Sequence, residues 1–518
     1  MGLGYAGTAA FRGAVEAGAD TIAIEYMKEK RFSSYGRDIG HLNSKFLESR
    51  GVPHVDELEF FNEWMRRAGN RANPELVMKF AKKSGEAFDW FVDMIPRKAM
   101  DEMVHVAFWP TGSEKFKAEA REKGYAELNG FKYWNGTAQF PYDYPMGWKG
   151  WPTLSDVCRE NHKKTIEQGG RAFFGIEAMQ LVKDGDRVTG VIGKDRESGE
   201  YIQYNARKAV ILAAGDFAHN PEMLEELACD ITDLLTPDEK YPRNPGRNGR
   251  GHQMAVWVGG RMETRPLPTM GGNQLNSFGG MCSFGAVWLD RFGKRYCNEI
   301  FGAMEFPGLA ANQTTRGATW RVYDIHCLEN ELAWSVPAHA SFDGSNPEFV
   351  ALLENLFEYA QTHDDGVWNK PAGGPFGPKQ VYYGRIPEEL VKNAGFTGEL
   401  AENVINSIHR YNEFARNGRD EDFGRDAKVL DPLTDMLFIE PKEANGFGGM
   451  LVTVGGLVTD ADQRVLDLYY ERIPGLYATG NCCGRRFGTL YFTLIAGVSI
   501  GIAITLGREA GIAAATLE

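Results

Sequence analysis

The hydrophobic pattern separates regular stretches from irregular ones. Residues 8–17 are small and apolar and read as a helix, and Thr21-Ile22-Ala23-Ile24 then reads as a short strand ending at Glu25. Over 170–176, 178–183, 187–194 and 200–204 the pattern alternates as strands do, with Asp184-Gly185 and Ser198-Gly199 as hairpin signals. Residues 209–215 (AVILAAG) form a continuous apolar run, expected of a strand buried on both faces. From 276 to 436 the pattern loosens around two helical stretches, 347–362 and 399–417. Parallel-sheet character returns at 455–460 and 475–480, and an apolar helix is predicted over 498–506. These elements imply an α/β fold. A domain built from 1–275 and 437–518 carries a parallel sheet and a β-meander, and an α+β domain is inserted at 276–436.

The turn before the first helix has its own chemistry. Gly2-Leu3-Gly4-Tyr5-Ala6-Gly7 reads G-x-G-x-x-G, and Glu25 stands at a strand end about 20 residues on, the spacing of a dinucleotide fingerprint. Gly2 permits the turn, Gly4 admits a pyrophosphate to the backbone, and Gly7 lets helix and strand pack closely. The N–H groups at Tyr5 and Ala6 face the phosphates, and Glu25 accepts from ribose hydroxyls. Only Met1 precedes the turn, so the strand expected before Gly2 is missing. The expectation is a clipped start, an open slot in the sheet and weak cofactor retention.

Charge and cysteine usage narrow the partners. A net charge of −13 argues against nucleic acid. No apolar run is long enough to span a bilayer, the longest, 495–506, being broken by Gly501. The seven cysteines show no C-x-x-C spacing, and the ten histidines no metal-ligand spacing. We expect no metal, free thiols, and a cytoplasmic, reducing location. Aromatic residues crowd 108–151, as core or pocket lining. Arg243, Arg247 and Arg250 read as a solvated face.

Four motifs in order resemble the flavoprotein family of fumarate reductase, succinate dehydrogenase and 3-ketosteroid dehydrogenase. They are the N-terminal fingerprint; RVTGV followed by AVILAAGDFAHNP (209–221); GKRYCNE (293–299); and GGL (455–457) with Asp460, followed by IPGLYATGN (473–481). The resemblance implies a Rossmann-like FAD-binding domain with a substrate-binding cap. It places FAD, non-covalently bound, along Gly2, Gly4, Tyr5, Ala6, Gly7, Glu25, Ala214, Gly215, Gly480 and Asn481. Gly497, Val498 and Ser499 would aim a helix N-terminus at the flavin's pyrimidine edge. The loop at His41 does not match the family's covalent histidine motif.

The departures are informative. Against the dicarboxylate reductases, residues 300–306 lack the arginine proton donor, Val452-Thr453-Val454 lacks the carboxylate-binding histidine, and Leu494 stands where a further arginine is expected. Asn481 and Gly497-Val498-Ser499-Ile500-Gly501 lean toward the ketosteroid branch, although its Tyr-Pro-Gly signature is missing. The expected activity is hydride transfer between flavin N5 and a C–C bond beside a carbonyl, on a bulky neutral, aromatic or enone substrate. Tyr491 is the first candidate acid/base, followed by Tyr323 and Arg486. Two alternatives stand beside it: reduction of unsaturated carboxylates gripped by Arg485 or Arg486, and a flavoprotein subunit of an electron-transfer complex. In the latter, electrons beyond FAD would need a separate donor or acceptor protein.

Overall fold

The computed structural model describes residues 1–34, 36–107, 109, 114–141, 151–229, 245–271, 285–300, 319–334, 347–370, 380–442 and 450–517. Its centre is a pair of helices, Tyr5–Glu16 and Val498–Ala515, packed backbone against backbone. A Cβ added at Gly507 would lie 2.4 Å from the Ala6 carbonyl oxygen, and one at Gly511 would lie 2.3 Å from that of Ala10. Pairing Ala6 with Gly507 and Ala10 with Gly511 makes the two helices run the same way. The last helix therefore begins nine residues before its contact with Ala6.

The last helix runs well past 506, because Gly507 and Gly511, which resemble breakers in the sequence, are the contact surface with its neighbour. Its length and apolarity match a membrane span, which the sequence pattern did not suggest, but 67% of it is buried inside the protein.

The parallel sheet is split. Ile22–Glu25 pairs in parallel with Arg171–Phe174, and Val210–Leu212 pairs in parallel with Arg472–Ala478, which carries Arg464–Leu466 on its other side. Met1 and Gly2 bridge the two halves. The Met1 amino group donates to Ile211 O (2.9 Å), Ala213 N–H donates to Met1 O (2.9 Å), and Gly2 N–H donates to Ile24 O (2.8 Å). Behind Met1 lies a cavity of about 580 Å³, walled by Ile22, Ile24, Ala209, Ile211, Phe11 and Ala14. Burial there lowers the Met1 ammonium to about 6.

Ile176–Asp184, Arg187–Asp195 and Tyr201–Asn205 form the expected meander through antiparallel pairs. Residues 455–460 do not form the expected strand. They make isolated bridges instead, Leu457 to Met262 and Cys483 and Thr459 to Val465, because the two glycines are spent on close turns.

The inserted domain is a five-stranded antiparallel sheet in the order Ala286–Leu289, Thr319–Asp324, Leu437–Lys442, Gln380–Gly384 and Val367–Asn369. Leu353, Leu356 and Ala360 of the Pro347–Thr362 helix cover one face, against Tyr323, Tyr383 and Phe438. The Gly398–Asn417 helix covers the other through Val404, Ile408 and Tyr411. Leu437–Lys442 lies between two cap strands, so the cap extends past the boundary at 436 that the sequence suggested. No composition change marks that point; only the strand pairing does.

Cys158, Cys229, Cys297, Cys482 and Cys483 are thiols, not disulfides. Cys327 is disulfide-bonded, contrary to the expectation of thiols throughout. Linear spacing carries no record of that proximity. Of the crowded aromatics, Trp109, Tyr133, Trp134 and Phe140 are core, Trp151 is exposed, and 142–150 lie outside the described residues.

Candidate functional site

The turn at the first helix shows why each glycine is needed. Gly2 is left-handed (φ 83), and its Cβ would meet Ala213 O at 2.3 Å. A Cβ at Gly7 would lie 1.8 Å from Gly2 O. At Gly4 it would meet nothing within 4 Å, so open space faces the helix start there. Gly4 is the N-cap, and no side chain caps the helix, which leaves its positive end for an anion. Glu25 lies at the strand end with Oε2 accepting from Leu3 N–H (2.6 Å) and Oε1 from Met27 N–H (2.8 Å). Burial pushes its carboxyl upward, and the remaining lone pairs suit ribose hydroxyls.

The last helix begins in an equally tight place. Gly497 is its left-handed N-cap (φ 75), again without a capping side chain. A Cβ at Gly501 would fall 1.6 Å from Gly40 O, so the helix start lies directly on the Asp38–Gly40 strand. Gly40 N–H donates to Gly497 O (2.9 Å), Thr137 Oγ1 to Ala496 O (2.7 Å) and Trp134 N–H to Leu494 O (3.0 Å). Val498 and Ser499 are buried at this start. Phe487, Tyr491, Phe492, Leu494 and Ile495 lead into it and are buried with Trp64 in one apolar cluster.

The structure gathers most of the predicted cofactor residues and, of the catalytic candidates, brings Tyr491 and Arg486 together but not Tyr323. Gly480 (φ 58) packs on Ala6, and Ala214 and Gly215 follow the strand beside Met1, with open space at Gly215. Asn481 Oδ1 accepts from Arg486 Nη2 (3.0 Å), whose guanidinium also donates to Cys483 O (2.8 Å) and Val454 O (2.7 Å). Arg486 is fully buried, its Nη1 finds no partner, and it stands close enough to Tyr491 for their charges to couple. Tyr323 is elsewhere: it packs in the cap core, 5.4 Å from Phe438, apart from the cluster that holds Tyr491. Arg485 points outward, donating to the exposed Tyr470 hydroxyl (3.2 Å).

Several site residues carried no linear signal. Asp216 is buried and binds Arg247 through two hydrogen bonds while accepting from Thr453 N–H (3.0 Å), so Arg247, half-buried, is tied to the interior rather than only solvated. His252 bonds Asn481 O (2.9 Å), and Glu263 accepts from Gly456 N–H (2.7 Å) and Arg485 N–H (2.8 Å). All of these connect segments far apart in the chain. No group of His, Cys, Asp and Glu suited to a metal occurs among the described residues.

Three buried histidines support these turns and predict an acid limit. Burial lowers His41 to about 3, and His162 and His252 to about 4, from 6.5. As pH falls below 6.5 the unfolded chain takes up protons that the folded one refuses. Stability is complete above that value and is lost progressively toward 4, by about 3 kcal/mol per histidine. Thermal melts across this window should fall steadily with acid; a flat profile would refute the assignment.

A family model described as FAD binding domain matches residues 1–492. The chain belongs to the FAD binding domain family. A 4-oxocyclohexanecarboxylate 2-dehydrogenase of Sinomonas cyclohexanicum is 28% identical over 69% of this chain, but the match spans only 58% of that relative. A vinyl phenol reductase of Lactiplantibacillus plantarum is 24% identical over 99% of this chain and 94% of its own length. In fold, a 3-ketosteroid-Δ4-(5α)-dehydrogenase of Rhodococcus jostii RHA1 superposes with a TM-score of 0.70 at 20% identity, covering 99% of this chain and 95% of that one. The cofactor of this FAD binding domain protein is FAD, and its class is that of oxidoreductases acting on C–C single or double bonds. The site fits that cofactor. Two helix starts lack a capping side chain, open space faces Gly4 and Gly215, and a buried guanidinium N–H is left over at Arg486.

Proposed function

We propose that the chain moves a hydride to or from a carbon beside a carbonyl in a bulky, neutral or aromatic enone-type compound. The observation that carries this reading is the wall leading to the last helix, Phe487, Tyr491, Phe492, Leu494 and Ile495, all buried and apolar apart from one phenol. Bound FAD supplies the two-electron hydride chemistry. The start of the first helix holds its pyrophosphate, Glu25 its ribose, and the start of the last helix its pyrimidine edge. Tyr491 moves the proton at its Oη, beside the buried Arg486 guanidinium. The apolar wall excludes water from the reacting carbons.

The carboxylate alternative meets a geometric obstacle. Arg486 already donates to three oxygens, leaving Nη1 alone for a ligand, and Arg485 faces outward. Neither offers the paired N–H groups that a buried carboxylate needs. Non-covalent attachment is supported at His41, whose Nδ1 meets Ile39 O (3.0 Å) and whose Nε2 meets Ser44 Oγ (2.8 Å), with the ring stacked on Phe88.

The test is anaerobic reoxidation of reduced flavin by a cyclic enone, a cinnamate-type acid and fumarate. Rapid reoxidation by the enone alone is expected. Tyr491→Phe should slow that step about 10²–10⁴-fold with FAD content unchanged. Reoxidation by fumarate would overturn the neutral-substrate reading.

A further inference from the structure

Glu263 has no part in the chemistry above, yet two of the turns that build the site converge on it. Its carboxylate is 8% exposed and accepts two backbone N–H groups from different segments, Gly456 (2.7 Å, to Oε1) and Arg485 (2.8 Å, to Oε2). Its own N–H donates to Gly456 O (3.0 Å). The fit is close on both sides, because a Cβ at Gly455 or at Gly484 would lie 2.9 Å from Oε1. The second turn is held in an uncommon shape. Arg485 is a non-glycine residue in the left-handed region (φ 54), and this kink sends its side chain to the surface while the next side chain, Arg486, turns inward. Arg486 then reaches back to Val454 O, beside the first turn, and to Asn481 Oδ1.

We propose that Glu263 is a positioning residue, tying the Gly455-Gly456 turn to the Gly484-Arg485 turn so that Arg486 and Asn481 are fixed for the flavin. The proposal rests on the FAD site described above. A carboxylate suits this task better than an amide, since both of its oxygens accept, whereas a glutamine would turn an NH₂ toward one of the two N–H donors. A protonated Glu263 has the same defect. The ionisable groups facing the carboxyl are Arg485, Arg486 and Cys483, and burial pushes it up to about 7. The tie is therefore complete above that pH and weakened below it.

Two measurements on the full chain test this, one independent of the cofactor. In the apoprotein, hydrogen exchange at the backbone amides of 484–486 should quicken about tenfold in Glu263→Gln, as for one lost hydrogen bond to a carboxylate. Exchange in the first helix should be unchanged. Equal exchange at 484–486 would overturn the tie. In the second, the FAD dissociation constant is measured by flavin fluorescence on both sides of pH 7. The natural protein should bind more tightly on the alkaline side, and Glu263→Gln should bind about tenfold more weakly with that pH dependence gone. Identical profiles for the two proteins would overturn the link to the flavin. If the natural protein binds no FAD, the cofactor reading fails and the link to the flavin fails with it, while the exchange result still decides the tie.

Discussion

Gly501→Ala should destabilise the protein by about 3 kcal/mol or more and abolish FAD retention. The added methyl would sit 1.6 Å from the Gly40 carbonyl oxygen, less than half an ordinary contact distance. The obstacle is backbone on the Asp38–Gly40 strand, not the free end of a flexible side chain. Relief requires the last helix to move away from that strand. The same movement would break Gly40 N–H to Gly497 O and displace the helix start proposed to face the flavin. Alanine favours helix over glycine by about 1 kcal/mol, so propensity alone predicts the opposite sign. Chemical denaturation and the visible flavin spectrum of the purified variant decide between the two. A variant as stable and as yellow as the natural protein would show that this close approach does not matter.

Filling the slot behind Met1 should have the largest stabilising effect. Among the described residues, Ile22–Glu25 and Val210–Leu212 each have a parallel partner on one side only, and Met1 and Gly2 span the gap for a single step. The remaining cavity, about 580 Å³, is lined by apolar side chains on its inner walls, with Asp20, Arg171, Asn205, Arg207 and Lys208 also lining it. An added segment of about four apolar, β-branched residues ahead of Met1 would run parallel to both neighbours and carry the chain's ammonium out of the interior. Burial and new ladder bonds should exceed the ordering entropy, for a net gain on the order of 4 kcal/mol. Tighter FAD retention should follow, because the turn at Gly2 hangs from this strand position. The check is denaturant unfolding of extended and unextended proteins, with a polar segment of equal length as control. Equal gains from the apolar and polar segments would mean that the slot is not what is being filled.

How far the site could be read from the sequence depended on the distance over which each feature acts. Gly2, Gly4, Gly7 and Glu25 lie within one short stretch, and the local demands of a turn, a helix start and a strand end fix their spacing. The meander was legible for the same reason: alternation and hairpin residues are local. The last helix was read too short, because Gly507 and Gly511 look like breakers until Ala6 and Ala10 are seen against them. Tyr323 and Tyr491 looked alike as candidates; only packing shows one in the cap core and the other beside the last helix. Glu263 and His252 gave no signal, since each answers to groups about 200 or more residues away, and Asp216 joins Arg247 to the still more distant Thr453.

By itself, then, the sequence determined the class of fold and the glycine turn before the first helix, because short-range sterics and periodicity leave few other uses for those residues, while the kind of cofactor followed from the resemblance of four motifs to a known family. Tertiary structure alone decided the offset of the two helix starts, the occupied state of Arg486 and the limits of the cap. Those depend on backbone approaches and hydrogen bonds between segments that meet only once the chain has folded.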